Sequence, residues 1–173
     1  MSSHLTRLAA AAVLPALLAT SGTAVAADRN AHPFGLGVIV GQPTGLSGKV
    51  YLDRRAQAVD FAVATTPWAG VYGHATYLWH PSVLASGQNV DLEWHLGVGG
   101  QAWTRRWLES PPERSPYGVG DGDVAVGVRV PIGLDVNLGD PRLQFFGDIA
   151  ATGYVVPEPR PGFDAAVGAR YYF

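Results

Sequence analysis

The closing stretch, Phe163-Asp164-Ala165-Ala166-Val167-Gly168-Ala169-Arg170-Tyr171-Tyr172-Phe173, alternates with a period of two. Phe163, Ala165, Val167, Ala169, Tyr171 and Phe173 share one face. Asp164, Ala166, Gly168, Arg170 and Tyr172 share the other. Alternation at 180° per residue marks a strand. An apolar outside, a small or polar inside and a final aromatic suit a strand that closes a membrane barrel. A soluble sandwich strand would also alternate, but chain ends usually fray and seldom finish on Tyr-Tyr-Phe. The expectation is a barrel whose last strand carries an assembly signal at Tyr171 and Phe173.

The same period recurs upstream. Val124, Val126, Val128, Val130, Ile132, Leu134 and Val136 form an unbroken stripe, with Ala125, Gly127, Arg129, Pro131, Gly133 and Asp135 between them. A half-buried soluble strand averages about 5–6 residues, whereas a tilted membrane strand needs about 9–11. The stripe has the longer length. Pro131 lacks a ladder donor and is expected at a bulge or rim. By the same alternation, Phe34 to Gly41 leads through residues 42–45 into Leu46 to Leu52, with Lys49 inward. Val59, Phe61 and Val63 oppose Asp60, Ala62 and Ala64, and Val71 to Trp79 turns His74 and Thr76 inward. Val90, Leu92, Trp94, Leu96 and Val98 oppose Asp91, Glu93, His95, Gly97 and Gly99. Leu143, Phe145, Gly147, Ile149 and Ala151 oppose Gln144, Phe146, Asp148 and Ala150.

Eight strands result, and an even number puts both ends of the barrel chain on one side. Loops 42–45, 65–70, 103–120 and 152–162 then face outward from the cell, and turns 53–56, 80–88 and 136–141 face the periplasm. Outer-membrane barrels have long outer loops and short periplasmic turns, so 80–88 is long for its side.

The other end supplies an address. Arg7, the apolar run Leu8 to Ala19 and the A-x-A site Ala24-Val25-Ala26 read as a secretory signal over residues 1–26. That run is shorter than the roughly 20 residues a spanning helix requires. Cleavage after Ala26 leaves a barrel over residues 27–173 with 11 basic and 14 acidic residues. So mild a balance gives no sign of nucleic-acid binding. With no cysteine, disulfides, thiolate metal sites, a cysteine nucleophile and a lipidated N-terminal cysteine are excluded. A small exported domain without disulfides must draw its stability from its core or from a bilayer.

The inward faces carry Lys49, Arg129 and Arg170 against Asp60, Asp91, Glu93, Asp135, Asp148 and Asp164, with His74 and His95 among them. An eight-stranded barrel is just wide enough for side chains to fill, and unpaired charges inside it are costly. A structural network among Arg129, Asp148, Glu93 and Arg170 is expected, within a wider lumen set of Lys49, Asp60, His74 and His95. The functional alternative is a gated ion path or a polar ligand site. A lipid-modifying enzyme would need a nucleophile near a histidine. Ser47, Ser82 and Ser86 are the candidates, and each reads more simply as a turn or lumen hydroxyl. No G-x-S-x-G elbow, phosphate loop or zinc spacing occurs. His74 and His95 read as hydrogen-bonding residues rather than a metal pair, and no cofactor is implied.

Tryptophans 68, 79, 94, 103 and 107 and the tyrosines Tyr51, Tyr72, Tyr77, Tyr154, Tyr171 and Tyr172 lie near strand ends, as an aromatic girdle would. Trp103, Arg105, Arg106 and Trp107 open the longest loop and are its expected contact surface for an extracellular ligand.

Gly35 to Lys49, Ala58 to Ala62, His74 to Trp79 and Gly168 to Phe173 resemble small, uncharacterised outer-membrane β-barrel proteins of spirochaetes and myxobacteria-like Gram-negative bacteria. These are similar in architecture to the OmpA-type transmembrane domain. The resemblance implies an all-β, eight-stranded antiparallel closed transmembrane barrel in the outer membrane. It implies contact with outer-membrane lipid and with the barrel assembly machinery, and brings no catalytic residue with it. The expected role is non-enzymatic, in envelope structure or loop-mediated binding. A narrow channel, a lipid-modifying enzyme and a periplasmic lipocalin-like barrel are the alternatives; the last needs an apolar lumen and a polar exterior.

Overall fold

Each alternating stretch forms a strand, and the strands pair in chain order until the last meets the first. The computed structural model describes residues 32–53, 56–66, 69–104, 124–140 and 142–173. The expected signal, Trp68, and Arg105, Arg106 and Trp107 of the proposed contact loop lie outside the described residues. The strands are β1 (Phe34–Gln42), β2 (Thr44–Asp53), β3 (Gln57–Thr66), β4 (Ala69–Ser86), β5 (Val90–Thr104), β6 (Val124–Leu138), β7 (Leu143–Val156) and β8 (Arg160–Tyr172). They make one closed antiparallel barrel in the order β1 to β8. No helix occurs among the described residues.

The cross-strand register fixes the shape of the tube. Starting at Gly37, the pairing runs through Ser47, Ala62, His74, Gln101, Gly127 and Tyr154 to Arg160 on β8. Gly37 itself pairs with Arg170, ten residues further on. A stagger of ten over eight strands, at about 3.3 Å rise and about 4.8 Å spacing, tilts the strands by about 40° and gives a backbone radius of about 8 Å. Such a tube is filled by its own side chains.

Four expectations change. Residues 80–88 are not a loop: β4 continues to Ser86, with register shifts between Trp79 and Ser82 and between Val83 and Ala85. The first of these shifts spans Pro81, and the turn shrinks to residues 87–89, so it is no longer long for its side. Pro131 is neither at a bulge nor at a rim. It faces the lumen in mid-strand, paired with Ala150, and the β5–β6 pairing skips only Gly97 and Val98 while keeping register. The loop expected at 152–162 shortens to residues 157–159 because β7 and β8 run further.

The fourth concerns the aromatics. Tyr51, Tyr72, Trp103, Tyr154 and Tyr172 are buried in the lumen; Trp103 is therefore not an exposed loop contact. They share strand parity with the inward charges, so they fill the tube rather than ring it. The outward Tyr77, Trp79, Trp94 and Tyr171 all lie towards the end that carries Phe34 and Phe173. Phe173 is held there: its N–H donates to Phe34 O at 3.0 Å, its ring stacks on Phe34 at 6.4 Å, and Tyr171 meets it edge-on at 5.1 Å.

Closure of the β1–β8 seam needs a missing side chain. A Cβ on Gly37 would overlap the carbonyl oxygen of Ala169, whereas one on Gly153 would meet nothing within 4 Å. Gly37→Val is expected to abolish the compact, fast-running band of unheated sample on a denaturing gel, and Gly153→Ala to leave it unchanged.

Candidate functional site

Three apolar clusters layer the lumen. Tyr72, Trp103 and Tyr154 with Ala64 and Ala125 fill one end, Tyr51 and Tyr172 with Ala58 and Leu78 fill the other, and Ile39, Ala62, Phe146 and Ala166 lie between. The charged residues occupy the space around and between these layers, and all are turned inward by the parity of their strands.

Asp60 on β3 is the hub of the largest network. One carboxylate oxygen accepts from Arg170 Nη2, and the other lies 2.7 Å from His74 Nε2. The Arg170 guanidinium also donates to Ser47 Oγ at 2.6 and 3.0 Å and to Gln144 Oε1 at 3.3 Å, and it sits 3.7 Å over the Phe146 ring. Phe146 can lie there because β8 has Gly168 beneath it, where a Cβ would strike the ring. The planar fork of arginine suits such a site, since it satisfies several acceptors and an aromatic face at once. Hydrogen bonds continue in both directions. The Tyr72 hydroxyl lies 3.0 Å from His74 Nδ1 and 3.0 Å from Gln101 Oε1, and Gln101 Nε2 donates to Tyr154 OH at 2.8 Å. Below, Tyr172 OH donates to Gln144 Oε1 at 3.1 Å, and Gln144 Nε2 donates to Asn137 Oδ1 at 2.7 Å. The polar lumen is thus continuous from one aromatic layer to the other.

A second cluster gathers near the end that carries Phe34 and Phe173. Lys49 Nζ donates to Asp135 Oδ2 at 2.7 Å and lies 2.9 Å from His80 Nε2. His80 Nε2 and His95 Nδ1 each lie 3.2 Å from the same Asp135 oxygen. Lys49 and Asp135 are both 0 % exposed. Arg129 forms a third pair with Asp148 at 3.2 Å.

The expected set is therefore divided. Arg129 and Asp148 meet, whereas Arg170 goes to Asp60, and Glu93 is the cross-strand neighbour of Asp135. Lys49, His74 and His95 are inward and engaged. Asp135 is inward, as its parity with Arg129 on β6 implies, but was not placed in the expected network; His80, expected in a loop, is inward with the parity of His74 on β4. Two of the three serines have hydrogen-bonding roles. Ser47 Oγ accepts from Arg170, and Ser82 Oγ accepts from Trp94 Nε1 at 2.8 Å. Tyr171 and Phe173 stand on the outer face.

Compared with known proteins, the chain matches no family model, no curated protein and no solved structure.

Removing one partner of a buried ion pair leaves the other charge uncompensated, at a cost of about 3–5 kcal/mol. Asp60→Ala should therefore lower unfolding stability by that amount in a urea titration. Asp60→Ala combined with Arg170→Met should recover part of it. Arg160→Ala, which breaks the exposed rim pair with Glu158 (2.8 Å), should change stability by less than about 0.5 kcal/mol.

Proposed function

We propose that the chain is an integral outer-membrane barrel with a sealed lumen, whose work is done by its outer wall and its loops rather than by catalysis or conduction. One observation carries this reading: the barrel is apolar outside and charged inside. Val38, Val63, Val128, Val130, Ile149 and Val167 are among many large aliphatic side chains left exposed on the wall, up to 62 % for Val63 and Val167. Charged side chains described in the strands face the lumen; the exception, Arg160, stands at the first residue of β8. In water this arrangement would expose a contiguous apolar surface far beyond what soluble monomers tolerate. In a bilayer it is the expected one, and closure leaves no strand edge to be satisfied by lipid. The wall also bears a shallow apolar groove of about 640 Å³ around Gly147, lined by Val40, Ile132, Leu134, Ile149 and Val167, a form that acyl chains can fill. The same polarity argues against a lipocalin-like container, which needs the reverse.

The two aromatic layers and the hydrogen-bonded network between them favour a closed lumen over a channel. Outward Tyr77, Trp79, Trp94 and Tyr171 provide an interfacial belt at the end proposed to face the periplasm. Tyr171 and Phe173 are the residues we assign to contact with the barrel assembly machinery. Of the expected loop contacts Trp103, Arg105, Arg106 and Trp107, Trp103 belongs to β5 and is buried, which leaves the loop after it as the proposed contact surface.

The test is one substitution in two solvents. Arginine at the bilayer midplane of a barrel wall costs about 2–4 kcal/mol. Val130→Arg should destabilise the protein by that amount when refolded into lipid vesicles, and wild type should show no conductance in planar bilayers. Wild-type protein that is soluble and folded without detergent would overturn the membrane reading.

A further inference from the structure

We propose that His80, His95 and Asp135 form a binding site for a divalent d-block metal ion, of the zinc or cobalt kind, which the Lys49 ammonium fills when no metal is bound. The site is built on three adjacent strands, β4, β5 and β6, so its ligands are fixed by the barrel wall rather than by a loop.

The distances fit. Metal–nitrogen and metal–oxygen bonds of about 2.0–2.2 Å in a tetrahedral site place neighbouring ligand atoms about 3.3–3.5 Å apart. His80 Nε2 and His95 Nδ1 each lie 3.2 Å from Asp135 Oδ2, and all three donor atoms fall within 4.8 Å of one another. Two imidazoles and one carboxylate are a donor set for zinc, cobalt, nickel or copper, not for calcium or magnesium, which prefer oxygen alone.

The hydrogen bonding within the cluster is unbalanced. Three nitrogens converge on one oxygen of Asp135, while Asp135 Oδ1, His80 Nδ1 and His95 Nε2 are buried and have no hydrogen-bond partner among the described residues. The convergence is on the carboxylate oxygen itself, so its donors are crowded while Oδ1 is left unused. A cation held between that oxygen and the two ring nitrogens would turn the crowded contacts into ligand bonds. His95 is aimed by its neighbour: its ring lies against Gly133, where a Cβ would come within 2.6 Å of Nε2, and this turns Nδ1 towards Asp135.

Lys49 marks where the positive charge belongs. Its ammonium touches both Asp135 and His80, and an ion arriving there must displace it. The barrel offers it a second place. Lys49 is the direct cross-strand partner of Asp60 on the lumen face, and such pairs hold their Cβ atoms about 4.5–5.5 Å apart. Lys49 can thus exchange Asp135 for Asp60 without losing a carboxylate. Asp91, Glu93 and His95 face the lumen at every second position of β5 from the turn inward, so the site lies in an acidic stretch of the wall.

The test uses untagged barrel refolded in detergent and titrated with Co²⁺, read by its visible ligand-field bands and by bound metal per protein. The proposal expects one equivalent in wild type with intense tetrahedral bands. His95→Gln or Asp135→Asn should lose them, and Lys49→Met should bind at least tenfold more tightly, because the competing charge is gone. The heat-dependent gel shift of each variant shows that its barrel is closed. If closed wild type binds no cobalt, the proposal fails, whether or not Lys49→Met binds it, since the lysine would then be the permanent occupant. Binding that survives both ligand substitutions in closed barrels would place the metal elsewhere and would equally overturn it.

Discussion

Closure of β1 on β8 with a stagger of ten residues is the constraint on which the rest depends. It sets the tilt at about 40° and the radius at about 8 Å, and so the volume that inward side chains must fill. It also removes both sheet edges, so every strand has two neighbours. The seam itself is tight enough that Gly37 has no room for a side chain against Ala169. Small inward residues elsewhere follow from the same limit: Phe146 and His95 lie over Gly168 and Gly133 on the neighbouring strands, where a Cβ would strike their rings.

Within that volume charge has to be matched by charge. Arg170 with Asp60, Lys49 with Asp135 and Arg129 with Asp148 are three pairs buried in one lumen. Buried pairs contribute little net stability over a well-packed apolar core, but losing one partner is severe. Their effect here is to make the lumen polar and dense while the wall remains aliphatic. That inversion of the usual inside and outside is what supports a bilayer rather than water as the solvent of the wall.

Much of this was legible in the residues because a strand repeats every two positions. The valine stripe of β6 and the alternation of β8 disclosed strand type, facing and the closed eight-stranded count without any contact being known. Parity, once established on a strand, extends along its whole length. Applied through to Trp103, Tyr72, Tyr51, Tyr154 and Tyr172, it places these aromatics inside; nearness to strand ends suggested a girdle instead and misled. His80 was missed because Pro81 and the Ser86-Gly87-Gln88 that follows resemble the two ends of a loop, and the bulge that carries β4 past the proline leaves no mark in the alternation. Which charge meets which depends on the stagger between strands. No single strand encodes that quantity, so the Asp60–Arg170 contact between β3 and β8 could not be read locally.

The most direct measurement is spin-label accessibility along β6. The chain contains no cysteine, so single cysteines at residues 125–131 carry the label without a background. In barrels refolded into vesicles, labels at 126, 128 and 130 should collide readily with oxygen and poorly with a water-soluble nickel complex. Labels at 125, 127, 129 and 131 should be protected from both. Strong nickel-complex accessibility at 126, 128 and 130 would mean that water, not lipid, surrounds the wall.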